Sequence, residues 1–331
     1  MHRTLWARAA LLGSAAVLAV LVWRLGTGPF LRGVRAVDGP TLAAAIAIAG
    51  ATSVCSAWRW RTVARGLGVD LPLGVGVAAC YRSVFLNTVL PGGLVGDVHR
   101  GMDHGRDVGD IGRALRAVAW ERTAGQVVQA VLTTAVLLAL PSPLRPHAGT
   151  VAAVLVTVGL GAVLLCRTSA ATSAPSAWVR MLRTTRADVR EGLLAPRALP
   201  AVVLASAVIV AGHAATFVLA AHAAGVVVPL TLMLPLALLV LTAMALPNAG
   251  WWGPREGVTA WAFGAVGLGA AQGVSTAVAY GVLATAAALP GAVVLLAPRL
   301  TGGAGGYPAA VHEAHETSRT AITGPAGGSC R

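Results

Sequence analysis

Apolar residues run in long blocks separated by short clusters of arginine, acid, proline and glycine. The blocks are 5–23, 41–57, 73–90, 123–140, 149–166, 199–223, 226–246 and 274–297. A helix rises about 1.5 Å per residue, so roughly 20 apolar residues cross a hydrocarbon core of about 30 Å. The pattern predicts an all-α, polytopic transmembrane helical bundle of about eight spans. Two stretches are ambiguous. Block 73–90 holds Arg82 and Asn87 and ends at Pro91-Gly92-Gly93, so it either crosses or dips in and returns. The charge-free stretch 257–298 has room for one span plus a re-entrant piece, or for two short spans.

The same kind of residues interrupts the apolar pattern twice. The first break reads Leu90-Pro91-Gly92-Gly93, then Gly96-Asp97 and Arg100. The second reads Leu246-Pro247, then Gly250, Gly253 and Arg255-Glu256. Proline ends helices, and glycine permits turns closed to other residues. Charges at membrane depth are costly and face a cavity or a partner. Gly/Pro interruptions at corresponding places in two halves point to the binding site of a transporter. Pro91, Gly92, Gly93, Gly96, Pro247, Gly250 and Gly253 are therefore expected to form two kinked, re-entrant turns.

Composition settles the class. The chain is 56% hydrophobic and 11% charged, with mean hydropathy +0.74, against about 25% charged for a soluble domain. Its net charge of +13 comes from 25 arginines and no lysine, against 12 acids. The arginines are scattered between spans, which argues for membrane orientation and lipid contact and against nucleic acid. The loop 167–198 carries six arginines, and an even number of predicted spans separates the two breaks. The positive-inside rule then puts both breaks at the cytoplasmic face of a bacterial plasma membrane. The first block is expected to be an uncleaved span. Residues 1–300 are read as the membrane domain, and 301–331, Gly-rich and aperiodic, as a disordered tail.

Candidate chemistry clusters at the breaks. Asp97 is placed to cap a new helix after the glycine turn. Arg100 is suited to a bidentate grip on phosphate, although an Asp97–Arg100 pair that only steadies the loop fits as well. On block 123–140, Arg122, Gln126 and Gln129 recur at helical spacing, as do Glu121, Gly125 and Gln129. This polar stripe should face the bundle interior, as a cavity wall or as interhelical glue. Arg255 and Glu256 are neighbours in sequence, so on a helix they should not face one another. Their expected partners are Asp97, Arg100, Glu121 or Arg122, within one shared charged site. His213 and His222 are read as satisfied or interfacial, and His99 and His104 as part of a solvated charged loop. The four cysteines lack ligand spacing, and neither they nor His312–Glu316 predict a metal. Nucleotide and dinucleotide fingerprints are lacking, so no cofactor is expected.

Taken together, Asn87 with Leu90-Pro91-Gly92-Gly93, Gly96-Asp97 and Arg100, then Glu121-Arg122 before a glycine, then Leu246-Pro247 through Arg255-Glu256, resemble the lysylphosphatidylglycerol synthase transmembrane region, a flippase-like family. The resemblance covers about residues 5–298. It implies a bundle with two re-entrant segments that moves a phospholipid between leaflets. The aminoacyl-transfer domain that follows this region in multidomain members has no counterpart in these 331 residues, so synthase activity is not carried over. The expectation is a lipid translocase without covalent chemistry, its movement downhill or coupled to an ion gradient. Asn87, Asp97, Arg100, Glu121, Arg122, Arg255 and Glu256 would bind the headgroup of an anionic phospholipid or lipid-linked phosphate. Alternatives are an enzyme acting on such lipids, with Asp97 or Glu121 as general base, and a membrane subunit of a separate synthase or transferase.

Overall fold

The computed structural model describes residues 2–90, 93–140, 149, 183–244 and 253–300, and the apolar blocks within them fold as helices. In chain order the helices are α1 (His2–Leu25), α2 (Gly28–Arg35), α3 (Gly39–Gly66), α4 (Leu73–Val89), α5 (Val95–Val108) and α6 (Ile111–Ala139). A π-helical turn, Val189–Leu193, precedes α7 (Ala198–Ala223), α8 (Leu230–Ala243), α9 (Pro254–Ala265), α10 (Ala270–Ala288) and α11 (Pro290–Leu300). No strand occurs among the described residues. The fold is the expected all-α bundle.

Helix limits follow local chemistry more than charge. Block 41–57 extends through Trp58-Arg59-Trp60-Arg61 to Gly66 as α3. Asp38 caps its start, accepting from the Thr41 N–H at 2.9 Å. Thr41 thereby holds the Asp38 carboxyl below its usual pKa. Block 123–140 begins far earlier, as α6, where Asp110 accepts from the Arg113 N–H. A cap and continued burial of one face keep both helices going through charged turns beyond the apolar blocks.

Among the described residues, three stretches are long and apolar enough to cross a membrane: Gly39–Gly66, Ala198–Ala223 and Ala270–Leu296. A fourth arises if Ser14–Leu25 and Gly28–Arg35, bent by 103°, make one broken span. Leu73–Val89 and Leu230–Ala243 are shorter apolar helices. The charge-free stretch 257–298 resolves into most of α9, which starts in the second break, and the long α10–α11 rod. Residues 150–166, half of the loop 167–198, the turn residues Pro91, Gly92, Pro247 and Gly250, and the tail 301–331 lie outside the described residues.

α3 and α7 form the central pair, and α10 packs against both. One apolar core joins α7, α8, α9 and α10 around Phe217, Phe263 and Tyr280. A second joins α3, α4 and α6 around Trp60. On α7, Leu199, Val203, Leu204 and Val208 are exposed at helical spacing, the face expected against acyl chains. Between the two cores lies a polar cavity.

Candidate functional site

The first break makes a tight helical hairpin. α5 returns antiparallel along α4, with Gly96 opposite Ser83 and Arg100 opposite Cys80. A Cβ on Gly96 would collide with the Ser83 backbone, so only glycine allows this approach. Gly93, at φ 63°, completes the turn. Asp97 does not cap α5. Asn87 does so from α4, its side-chain oxygen accepting from the Gly96 N–H at 2.8 Å. The Asp97 side chain turns inward instead, because buried guanidinium groups compete for it.

Five charged side chains meet there. Arg100 donates from Nε to Asp97 Oδ1 at 3.0 Å and from a terminal nitrogen to Glu121 Oε2 at 2.7 Å. Its guanidinium lies 4.7 Å from the centre of the Trp60 ring, within cation–π range. Asp97 also accepts from Ser83 Oγ, Asn87 Nδ2 and Arg122. Glu121 is shared with Arg59, whose Nε donates to Oε1 at 2.8 Å, while a terminal nitrogen of Arg59 donates to Ser206 Oγ at 2.8 Å. Ion pairs thus join α3, α5 and α6, and hydrogen bonds from Ser83, Asn87 and Ser206 tie α4 and α7 to the same node. Asp97, Arg100 and Glu121 are each at most 5% exposed. Arg122 differs, with 37% of its side chain exposed.

The node is one end of a cavity of about 230 Å³. Helical stripes make its walls. On α3 the stripe is Ala45, Ala49, Thr52, Ser56 and Arg59, reaching about 21 Å at 1.5 Å per residue. On α6, Glu121, Arg122, Gly125, Gln126 and Gln129 all line it. The opposite wall brings His213 from α7 and Tyr280 from α10, with Tyr280 Oη 3.3 Å from His213 Nδ1. Exposed Val84 and Gln126 and half-exposed Arg122 mark a mouth between α4 and α6. Among the described residues those two helices barely touch, and α5 packs against both.

Gly125 makes room for Arg59. A Cβ there would stand 2.5 Å from an Arg59 terminal nitrogen. Gly125→Val should push that guanidinium off Glu121 and lower stability by about 1–3 kcal/mol, as overpacking does. Thermal unfolding of the purified protein checks this, and an unchanged midpoint would contradict it.

The second break behaves otherwise than expected. Arg255 and Glu256 do face each other: Arg255 donates to Glu256 Oε1 from both Nε and a terminal nitrogen. Glu256 Oε2 accepts from the Gly253 N–H at 2.6 Å, closing the first turn of α9. Both side chains lie in that first turn, where the backbone has free N–H groups and no preceding turn to hold neighbours apart. The pair is not part of the node, and the cavity lining includes neither residue. It approaches the cavity from behind, with the Arg255 guanidinium 5.5 Å from the Tyr280 ring centre. Gly253, at φ 107°, packs on Ser14 of α1.

Arg59 was missed because its span was ended at Ala57. The signal was present, since Arg59 continues the Thr52–Ser56 stripe at helical spacing. His104 is also corrected: it is buried, 5.5 Å from Trp60 edge to face, and not part of a solvated loop. His222 is exposed. Among the described residues no cluster of three His, Cys, Asp or Glu is placed to hold a metal ion.

The family described as Lysylphosphatidylglycerol synthase TM region matches residues 6–305, nearly the whole chain. No curated protein and no solved structure matches.

Proposed function

The chain belongs to the lysylphosphatidylglycerol synthase transmembrane-region family, a membrane, lipid-related family, and from that premise we propose that it is a lipid translocase of the bacterial plasma membrane. An anionic phospholipid or lipid-linked phosphate would enter sideways between α4 and α6, its headgroup in the cavity and its acyl chains still in the bilayer. The observation that carries this reading is Arg122, a half-exposed guanidinium at the charged end of the cavity. It has one carboxylate partner, Asp97, and guanidinium donors left to meet a phosphate. Arg100 and Arg59, buried against these carboxylates, would hold Asp97 and Glu121 in place. The arginines of 167–198 support a cytoplasmic position for this end.

The carboxylates favour carriage over catalysis. A general base needs a lone pair aimed at substrate. Asp97 takes donors from Ser83, Asn87, Arg100 and Arg122, which fill its roughly four acceptor positions.

The test uses purified protein in vesicles holding acyl-chain-labelled phosphatidylglycerol, with movement read by chemical quenching of the outer leaflet. The wild type should speed exchange over protein-free vesicles. Arg122→Ala should lose at least about tenfold of that rate, as expected on losing a charge-assisted hydrogen bond of about 1.5–3 kcal/mol. Its unfolding temperature should stay near that of the wild type. Equal rates for wild type, variant and empty vesicles would overturn the proposal.

A further inference from the structure

The cavity wall discriminates by charge. Among the described lining residues its acids are Asp97 and Glu121. Asp97 is filled as above, and Glu121 is clamped between Arg59 and Arg100. Three arginines against two carboxylates leave one positive charge in excess. The accessible part of that excess is Arg122. One and two turns farther along α6 the lining becomes neutral and hydrogen-bonding, at Gln126 and Gln129. Thr52 and Ser56 of α3 and the Tyr280–His213 pair continue it. A volume of about 230 Å³ falls below the roughly 300–1,000 Å³ of sites for drug-sized ligands. That suits a headgroup of a few carbon atoms.

The geometry points to a headgroup composed of one phosphate followed by an uncharged, hydroxylated group, and to exclusion of headgroups that end in an amine. This rests on the lipid-carrier reading. Arg122 takes the phosphate, and the glutamine amides and the Tyr280–His213 pair take the hydroxyls. A primary ammonium in the same place meets, among the described lining residues, only carboxylates already paired with arginines, and it lies near an arginine. Burying it there costs its hydration without a partner, and like charges repel. The aminoacylated lipid in the family's name is thus a poor fit to this chain, and the same lipid without its amino acid is a good one.

The experiment reads binding, not movement. Full-length protein is placed in nanodiscs with equal amounts of phosphatidylglycerol, lysylphosphatidylglycerol and phosphatidylethanolamine, and retained lipids are weighed by native mass spectrometry. Phosphatidylglycerol should exceed each amine lipid at least about tenfold, the worth of one ion pair of about 1.4 kcal/mol. Equal or greater retention of the lysyl lipid overturns the inference. Gln129→Glu, which adds an acid to the neutral wall, should move the ratio toward the lysyl lipid by a similar factor. Misfolding cannot produce that gain, and an unchanged ratio counts against the assignment. Selective retention with no movement in vesicles would end the carrier reading and leave the headgroup class standing. Movement with a ratio of one would do the reverse.

Discussion

Replacing Glu121 with glutamine should lower stability by about 3–5 kcal/mol, the usual loss when a buried ion pair keeps only one side. Glu121 is 1% exposed and is the carboxylate shared by Arg59 and Arg100. Glutamine keeps the shape but removes the charge. Its NH₂ group would face guanidinium donors, so two cations and a donor would crowd a site built for an anion. Asp97 alone cannot neutralise three arginines. Thermal unfolding in nanodiscs measures the effect, and Glu121→Gln should unfold well below Gly125→Val. The double variant Glu121→Gln, Arg59→Gln should recover part of the loss, because it removes one stranded charge. A single variant as stable as the wild type would show that the node is not held by ionic pairing.

The Arg255–Glu256 pair gives the second large effect. Glu256→Ala leaves a buried guanidinium without its carboxylate and frees the Gly253 N–H at the start of α9. The expected loss is again about 3–5 kcal/mol, as when one side of a buried ion pair is removed. The more telling measurement is a double-mutant cycle between Glu256 and Arg100. Glu256 contacts Arg255 and Gly253, whereas Arg100 contacts Asp97, Glu121, Cys80 and Trp60. With no partner in common their losses should add within about 0.3–0.5 kcal/mol. A coupling above about 1 kcal/mol would restore the single shared site that the two breaks suggest in sequence.

That single site was the part of the sequence reading that failed, and the failure has a local cause. Adjacent residues inside a helix point about 100° apart, which is why Arg255 and Glu256 were assigned distant partners. At the first turn of α9 the rule does not bind, since Glu256 folds back to the free N–H of Gly253 and Arg255 follows it. Asp97 illustrates the same limit. An aspartate after a glycine turn reads as a cap, yet Asn87 caps α5 from the neighbouring helix and leaves Asp97 to the arginines. The α6 stripe was legible, because Arg122, Gln126 and Gln129 repeat at the helical period and polar groups in an apolar helix must face inward.

By itself the sequence determined that this chain is a helical membrane protein and that polar residues of α6 share one face. Those properties depend on local hydrophobicity and the 3.6-residue period, which act within a single helix. Only the tertiary structure decided which charges are committed and which remains open. Arg59 meets Glu121 across 62 residues and Ser206 across 147, and no local pattern records such a pairing. Arg122 stays half-exposed in the cavity lining, a position set by the packing of five helices around one polar node.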